Sequence, residues 1–242
     1  MIVLGIESAT ESVGAAVSDG EGSGASYCVT GRRRHAENLA PAISQVLERA
    51  GIGLERVEAI AVDLGPGLFT GLRVGVATAK GLAQGLGIGV LGVTSLEILA
   101  SAAFEAGWPG TVAPVIDGRR GEVFAAHYAR GLGPAELVEL SAPARHRPER
   151  VVAELAVPGY QAVLACGDGA LRYRALLGTG PVSVAGDLLG APDPSVLVRL
   201  AGARVEGGAA LLSATEVRPV YLREADTRIN WVQRAPQSTP GS

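Results

Sequence analysis

The chain has 242 residues, room for one large domain or two small ones. Hydrophobic residues make up 48% and charged residues 19%, so a core can form; with aromatics at 4% it must be built from Val, Leu, Ile and Ala, as in α/β layering. A net charge of −3 argues against a chain that holds nucleic acid by itself, because phosphate neutralisation calls for a basic surface.

Ile2 to Ile6 is a short apolar run ending at Glu7 and Ser8. Val13 to Val17 and Ala25 to Val29 follow after short polar interruptions, which predicts three antiparallel strands at the start. Arg32, Arg33 and Arg34 then form a local basic run that reads as a solvated loop. Ala36, Leu39, Ala40, Ile43, Val46, Leu47 and Ala50 carry a helical period, with Pro41 either kinking the helix or starting its regular part, and Gly51 and Gly53 ending it. Val57 to Asp63 reads as a buried strand.

The segment Gly65-Pro66-Gly67-Leu68-Phe69-Thr70-Gly71-Leu72-Arg73 follows, leading into a helix to about Leu86 with Thr70 as a candidate cap. A helix N-terminus after a glycine-rich turn presents N–H groups to an anion. Leu72 stands where a Walker A loop needs lysine, and a third glycine of the dinucleotide fingerprint is missing, so neither motif is complete. Gly71, Gly75 and Thr78 share one helix face, followed by Gly81 and Gly85. Several helical glycines, at roughly 1 kcal/mol each, call for a close neighbour, inside the subunit or across an interface.

Val90 to Val93 is the next strand and Ser95 to Ala106 the next helix, with Thr94 as its N-cap. Trp108-Pro109-Gly110 breaks the pattern. A second, less regular half then opens with strands Val112 to Asp117 and Glu122 to Tyr128, a strand Ala162 to Ala165, a turn Gly167-Asp168-Gly169 and a helix Pro194 to Val205. Asp117 occupies a place analogous to Glu7, an acid at the end of an apolar strand, which hints at duplicated halves. Glu7, Asp117, Gly167, Asp168 and Gly169 are the candidate ligand-binding residues, each with an ordinary capping or turn role as the alternative.

His35, His127 and His146 have no helical metal-pair spacing and no neighbouring nucleophile motif, and His35 reads as a cap or surface residue. Cys28 and Cys166 form no C-x-x-C pair, which suits a reducing cytoplasm. No signal peptide and no membrane-length apolar run is expected.

Five segments together resemble the TsaB (YeaZ) family: residues 2–11, with Glu7 where the family more often has Asp; residues 35–41; residues 65–75, with Leu68 where Ser is common; residues 117–124; and residues 219–223. The resemblance implies an actin/sugar-kinase/Hsp70-like fold with two related lobes, the second reduced. It implies a first lobe over 1–110, a second over 111–225 whose last helix packs back on the first, and a flexible tail over 226–242. It further implies a non-catalytic subunit that pairs with the transferase TsaD through the first two helices, joined by the ATPase TsaE, in threonylcarbamoylation of a tRNA adenosine next to the anticodon. Alone, such a chain would form a homodimer, reach tRNA only indirectly and hold no cofactor of its own, with ATP or ADP at a composite site in the complex. Leu39, Ile43, Val46, Leu47, Gly71, Gly75 and Thr78 are the candidate interface residues. The competing readings are an ATP-binding kinase or ATPase of the same fold, motivated by Glu7, Asp117 and the Gly167–Gly169 turn, and a metal-dependent glycoprotease.

Overall fold

A computed structural model describes residues 1–31, 35–133, 135–155 and 162–222; the Arg32–Arg34 run, Arg223 and the 226–242 tail lie outside the described residues. The first half contains β1 (Val3–Glu7), β2 (Ser12–Ser18), β3 (Gly24–Thr30), α1 (His35–Ala50), β4 (Ala59–Asp63), α2 (Phe69–Leu86), β5 (Gly89–Val93) and α3 (Ser95–Glu105). The second contains β6 (Thr111–Arg119), β7 (Glu122–Arg130), β8 (Leu137–His146), α4 (Pro148–Leu155), β9 (Val163–Cys166), α5 (Asp168–Arg172), α6 (Arg174–Leu177), β10 (Val182–Val184) and α7 (Pro194–Glu206).

Each half builds a five-stranded sheet, and the two sheets share one topology. The first runs β3-β2-β1-β4-β5, and the second, read from its other edge, β8-β7-β6-β9-β10. In both, the first three strands are antiparallel neighbours and the fourth and fifth join parallel to the first. This is the two-lobed α/β plan expected above. The reduction of the second lobe falls on its helices: α4 has 8 described residues where α1 has 16, and α5 and α6, of 5 and 4, stand where α2 has 18.

Strand alternation divides the first sheet between two helical layers. Leu4, Ile6, Ile60 and Val62 face α1 and α2, whose Leu39, Ile43, Val46, Leu47, Val76 and Ala79 complete that core. Val3, Ala61, Leu91 and Val93 face the other way, onto Ile98 of α3 and Val196, Leu197 and Leu200 of α7. Helix α3 is shared, because Leu96, Leu99 and Ala103 pack on Ile116, Phe124 and Leu164 of the second sheet. Thus α7, the last helix described, covers the first sheet although it follows the second.

Local signals explain the boundaries. Thr94 caps α3 through a full capping box with Glu97. Pro41 lies inside α1 rather than at its start, at an exposed position of the helix. Helix α2 begins two residues earlier than expected. Its N-cap is Leu68, without a side-chain cap, and Thr70 lies in the first turn instead. The strand expected from Val57 starts at Ala59, because a 3-10 turn at Leu54–Arg56 ends on Val57. Strand β8 and helices α4 to α6 were not legible, and neither was β10. Among the described residues no helix is long and apolar enough to cross a membrane.

Candidate functional site

The acids at the strand ends fall into two pairs. Glu7, last in β1, is fully buried, as is Asp63, last in the adjacent β4. Asp63 accepts hydrogen bonds from the Gly65 amide (2.6 Å) and from Ser95 Oγ (2.7 Å). Glu7 Oε1 accepts from the Ala9 amide (2.8 Å), while its Oε2 has no other donor. Burial, then the neighbouring Asp63 charge, raises Glu7 well above the ordinary carboxylate range, which favours its protonated form beside Asp63. Asp63 is itself raised, chiefly by burial. Glu7, a candidate ligand residue, is therefore sealed under the first lobe.

Asp117, Gly167, Asp168 and Gly169 do come together. Asp168 Oδ1 accepts from the Asp117 amide (2.8 Å). The turn is pressed on β6: a Cβ at Gly167 would lie 2.4 Å from the Val115 carbonyl, and one at Gly169 would lie 2.9 Å from the Asp117 nitrogen. These glycines serve internal packing at this point. Asp117 Oδ2 is bridged by Arg119 Nη1 and Arg172 Nη1, each at 3.0 Å, and Arg119 Nη2 crosses to Glu11 Oε1 at 2.8 Å. Burial raises Asp168.

This second group faces open space between the lobes. One cavity of about 370 Å³ is lined by Thr10, Glu11, Ser12, Asp117, Arg119 and Arg172 among others. Another of about 900 Å³ lies between the starts of α1 and α2, lined by Glu11, His35, Phe69, Thr70, Val74 and Arg119. His35 is no surface residue: it is 8% exposed, and its Nε2 donates to the Thr10 carbonyl at 2.7 Å. His127 is buried against Thr111 Oγ1, and burial pushes it down to about 4, so it is neutral at physiological pH. His146 lies 3.6 Å from Glu154. Among the described residues no three His, Cys, Asp or Glu side chains are grouped to hold a metal ion.

The candidate interface stripe has been used inside the subunit. Leu39, Ile43, Val46 and Leu47 are buried against the sheet. A Cβ at Gly71 would lie 2.1 Å from the Ser8 carbonyl, and one at Gly75 would lie 2.2 Å from Ser8 Oγ, so these glycines let α2 approach the β1–β2 loop. Thr78 is half-buried. The opposite face of α2 carries Arg73, Ala77, Gly81, Gln84 and Gly85, all exposed. Among the described residues, a Cβ at Gly81 or Gly85 would meet nothing within 4 Å. At its start Phe69 and Tyr221, 48% and 46% exposed, have ring centroids 5.5 Å apart, with the Arg73 guanidinium 3.8 Å from the Phe69 centroid.

Asp63, Ser95, Glu11 and Arg172 were missed as site residues. Asp63 carried the same signal as Glu7, an acid closing an apolar strand; nothing local marks the others.

A family model described as "TsaD: tRNA N6-adenosine threonylcarbamoyltransferase" matches residues 30–162, more than half of the chain. The tRNA threonylcarbamoyladenosine biosynthesis protein TsaB of Haemophilus influenzae is 32% identical over 204 residues, covering 81% of this chain and 83% of that protein. The protein of the same name from Escherichia coli is 34% identical over 130 residues, 54% of this chain and 56% of its own length. The solved structure of YeaZ from Pseudomonas aeruginosa superposes with a TM-score of 0.80 at 32% identity, covering 91% of this chain and 99% of that one.

Proposed function

The chain belongs to the TsaB family, and from that premise we propose that it is a non-catalytic subunit in the formation of N6-threonylcarbamoyladenosine in tRNA. In this reading a TsaD-type transferase carries out the chemistry on the adenosine next to the anticodon. A TsaE-type ATPase joins the two, and the tRNA is held by the complex rather than by this chain alone. Without its partners the chain pairs with a second copy of itself.

The outer face of α2 is the observation that carries the proposal. Gly81 and Gly85 cost helix stability, roughly 1 kcal/mol each, and no packing among the described residues offsets it. A helix from a partner laid along Ala77, Gly81 and Gly85 can come close enough to do so. Phe69, Tyr221 and Arg73 supply the aromatic and arginine anchors that dominate interfaces. Exposed Ala36, Ala40, Pro41 and Ser44 of α1 extend the same small-residue surface. The interface therefore moves from the buried stripe to the opposite faces of the same two helices. ATP or ADP belongs to a composite site completed by a partner. Within the chain Asp117 already answers to two arginines, which supports leaving nucleotide to the assembly.

Two substitutions on one helix test this. Gly81→Leu should stabilise the isolated chain by up to about 1 kcal/mol and weaken co-elution with a TsaD homologue about tenfold or more. Gly75→Leu should instead destabilise the isolated chain by about 3 kcal/mol, through overpacking against Ser8. In a modification assay with TsaD and TsaE homologues, omitting this chain should abolish product, and the chain alone should make none. Full activity of TsaD with TsaE in its absence would end the proposal.

A further inference from the structure

Among the described residues, Glu11 and Arg119 are the two that line both the cavity between the lobes and the larger one at the starts of α1 and α2. Glu11 belongs to the β1–β2 loop of the first lobe, and Arg119 ends β6 of the second. Their side chains meet at 2.8 Å, so the ion pair is a partition with open space on either side.

Both ends of the partition are aimed. The Arg119 amide donates to Asp117 Oδ1 and its Nη1 to Asp117 Oδ2, each at 3.0 Å, which leaves Nη2 pointing across the gap. The Glu11 carbonyl accepts from the Gly31 amide at 3.1 Å, tying the loop to the end of β3. We infer that the Glu11–Arg119 pair is a latch between the lobes: closed, it divides the interlobe space into two cavities, and open, it joins them into one cleft running from the starts of α1 and α2 to α5.

Exposure makes the latch easy to open. Its side chains are 43% and 40% exposed, and an ion pair that wet changes an equilibrium by no more than about fivefold. Arg119 and the following Arg120 sit at φ +62° and +56°, a conformation that L side chains resist. These residues belong to the tight turn between β6 and β7, where Arg119 is paired with Glu122. The lobes are joined elsewhere by α3, packed between the two sheets, which leaves the loops on the cleft side as the part free to separate.

Hydrogen exchange of the full chain, read by mass spectrometry, tests the inference. Glu11→Gln should speed exchange by up to about fivefold in two segments at once, residues 8–12 and 117–122, and leave α3 unchanged. Raising salt to about 1 M should do the same to the unsubstituted chain, because a wet ion pair is screened. It should do less to those segments in Glu11→Gln, where only the Asp117 pairs with Arg119 and Arg172 remain to be screened. Faster exchange confined to residues 8–12 would overturn the latch, since the pair would then only decorate a fixed joint. Should Glu11→Gln fail to fold, shown by exchange rising in α3 as well, the salt response of the unsubstituted chain decides. A response in both segments supports the latch, and its absence from residues 117–122 overturns it.

Discussion

In the first lobe Glu7 closes β1 and Asp63 closes β4; in the second, Asp117 lies near the end of β6 and Asp168 two residues past β9. The sheets have the same strand order, so the two acid pairs occupy equivalent places. Their surroundings differ. Glu7 and Asp63 are sealed, and the donors to them among the described residues are backbone amides and Ser95, a setting that favours a proton on Glu7. Asp117 is nearly as buried but meets two half-exposed arginines at the cleft, so opposite charge answers it. Equivalent topology therefore supports two chemistries. The first pair is a structural knot joining β1, β4, the first turn of α3 and the loop that launches α2. The second is the pair within reach of anything that enters between the lobes.

Truncations test this contrast. Asp63→Ala has the largest expected effect. It strips acceptors from the Gly65 amide, Ser95 Oγ and the Glu7 proton in a sealed site, and opens a small void. The loss should be about 3–4 kcal/mol, read as a fall in Tm of about 6–16 °C for a chain of this size. Asp117→Ala should cost about 1–2 kcal/mol, because Arg119 and Arg172 can turn into solvent and the Arg119 amide is left as the main orphan. Equal losses from the two truncations, measured by thermal unfolding, would remove the distinction between the lobes.

Much of the first lobe was legible because its strands are short apolar runs and its helices are long enough to show a period. Thr94 and Glu97 announced α3 through their spacing alone. In the second lobe α5 and α6 are too short for any period to register. Strand β8 is exposed on both faces from Val138 to Ala142 and contains Pro143, so it shows no alternation. The α1 and α2 stripes were read correctly as apolar or small, but periodicity marks a face without saying what covers it. That is why the sheet-facing stripe was named as interface. Glu7 was visible as an acid closing a strand. Its partner was not, because β1 and β4 become neighbours only after the chain crosses over through α1.

Glu7→Gln carries the smallest expected change at pH 5, within about 1 kcal/mol, since an amide can keep the bond from Ala9 and donate to Asp63. Its information lies in the slope. Glu7 is raised in the folded chain, first by burial and then by Asp63, whereas the unfolded chain releases that proton near 4.5. The stability linked to it is therefore fully present below that value. It falls as pH rises, by at most about 1.4 kcal/mol per pH unit for one proton, until the folded chain ionises as well. Urea unfolding between pH 5 and 9 should show wild type losing stability steadily and Glu7→Gln losing less, the gap widening with pH in favour of the variant. Parallel pH curves for Glu7→Gln and wild type would mean that Glu7 is ionised in place, and the two acid pairs would then differ only in the donors around them.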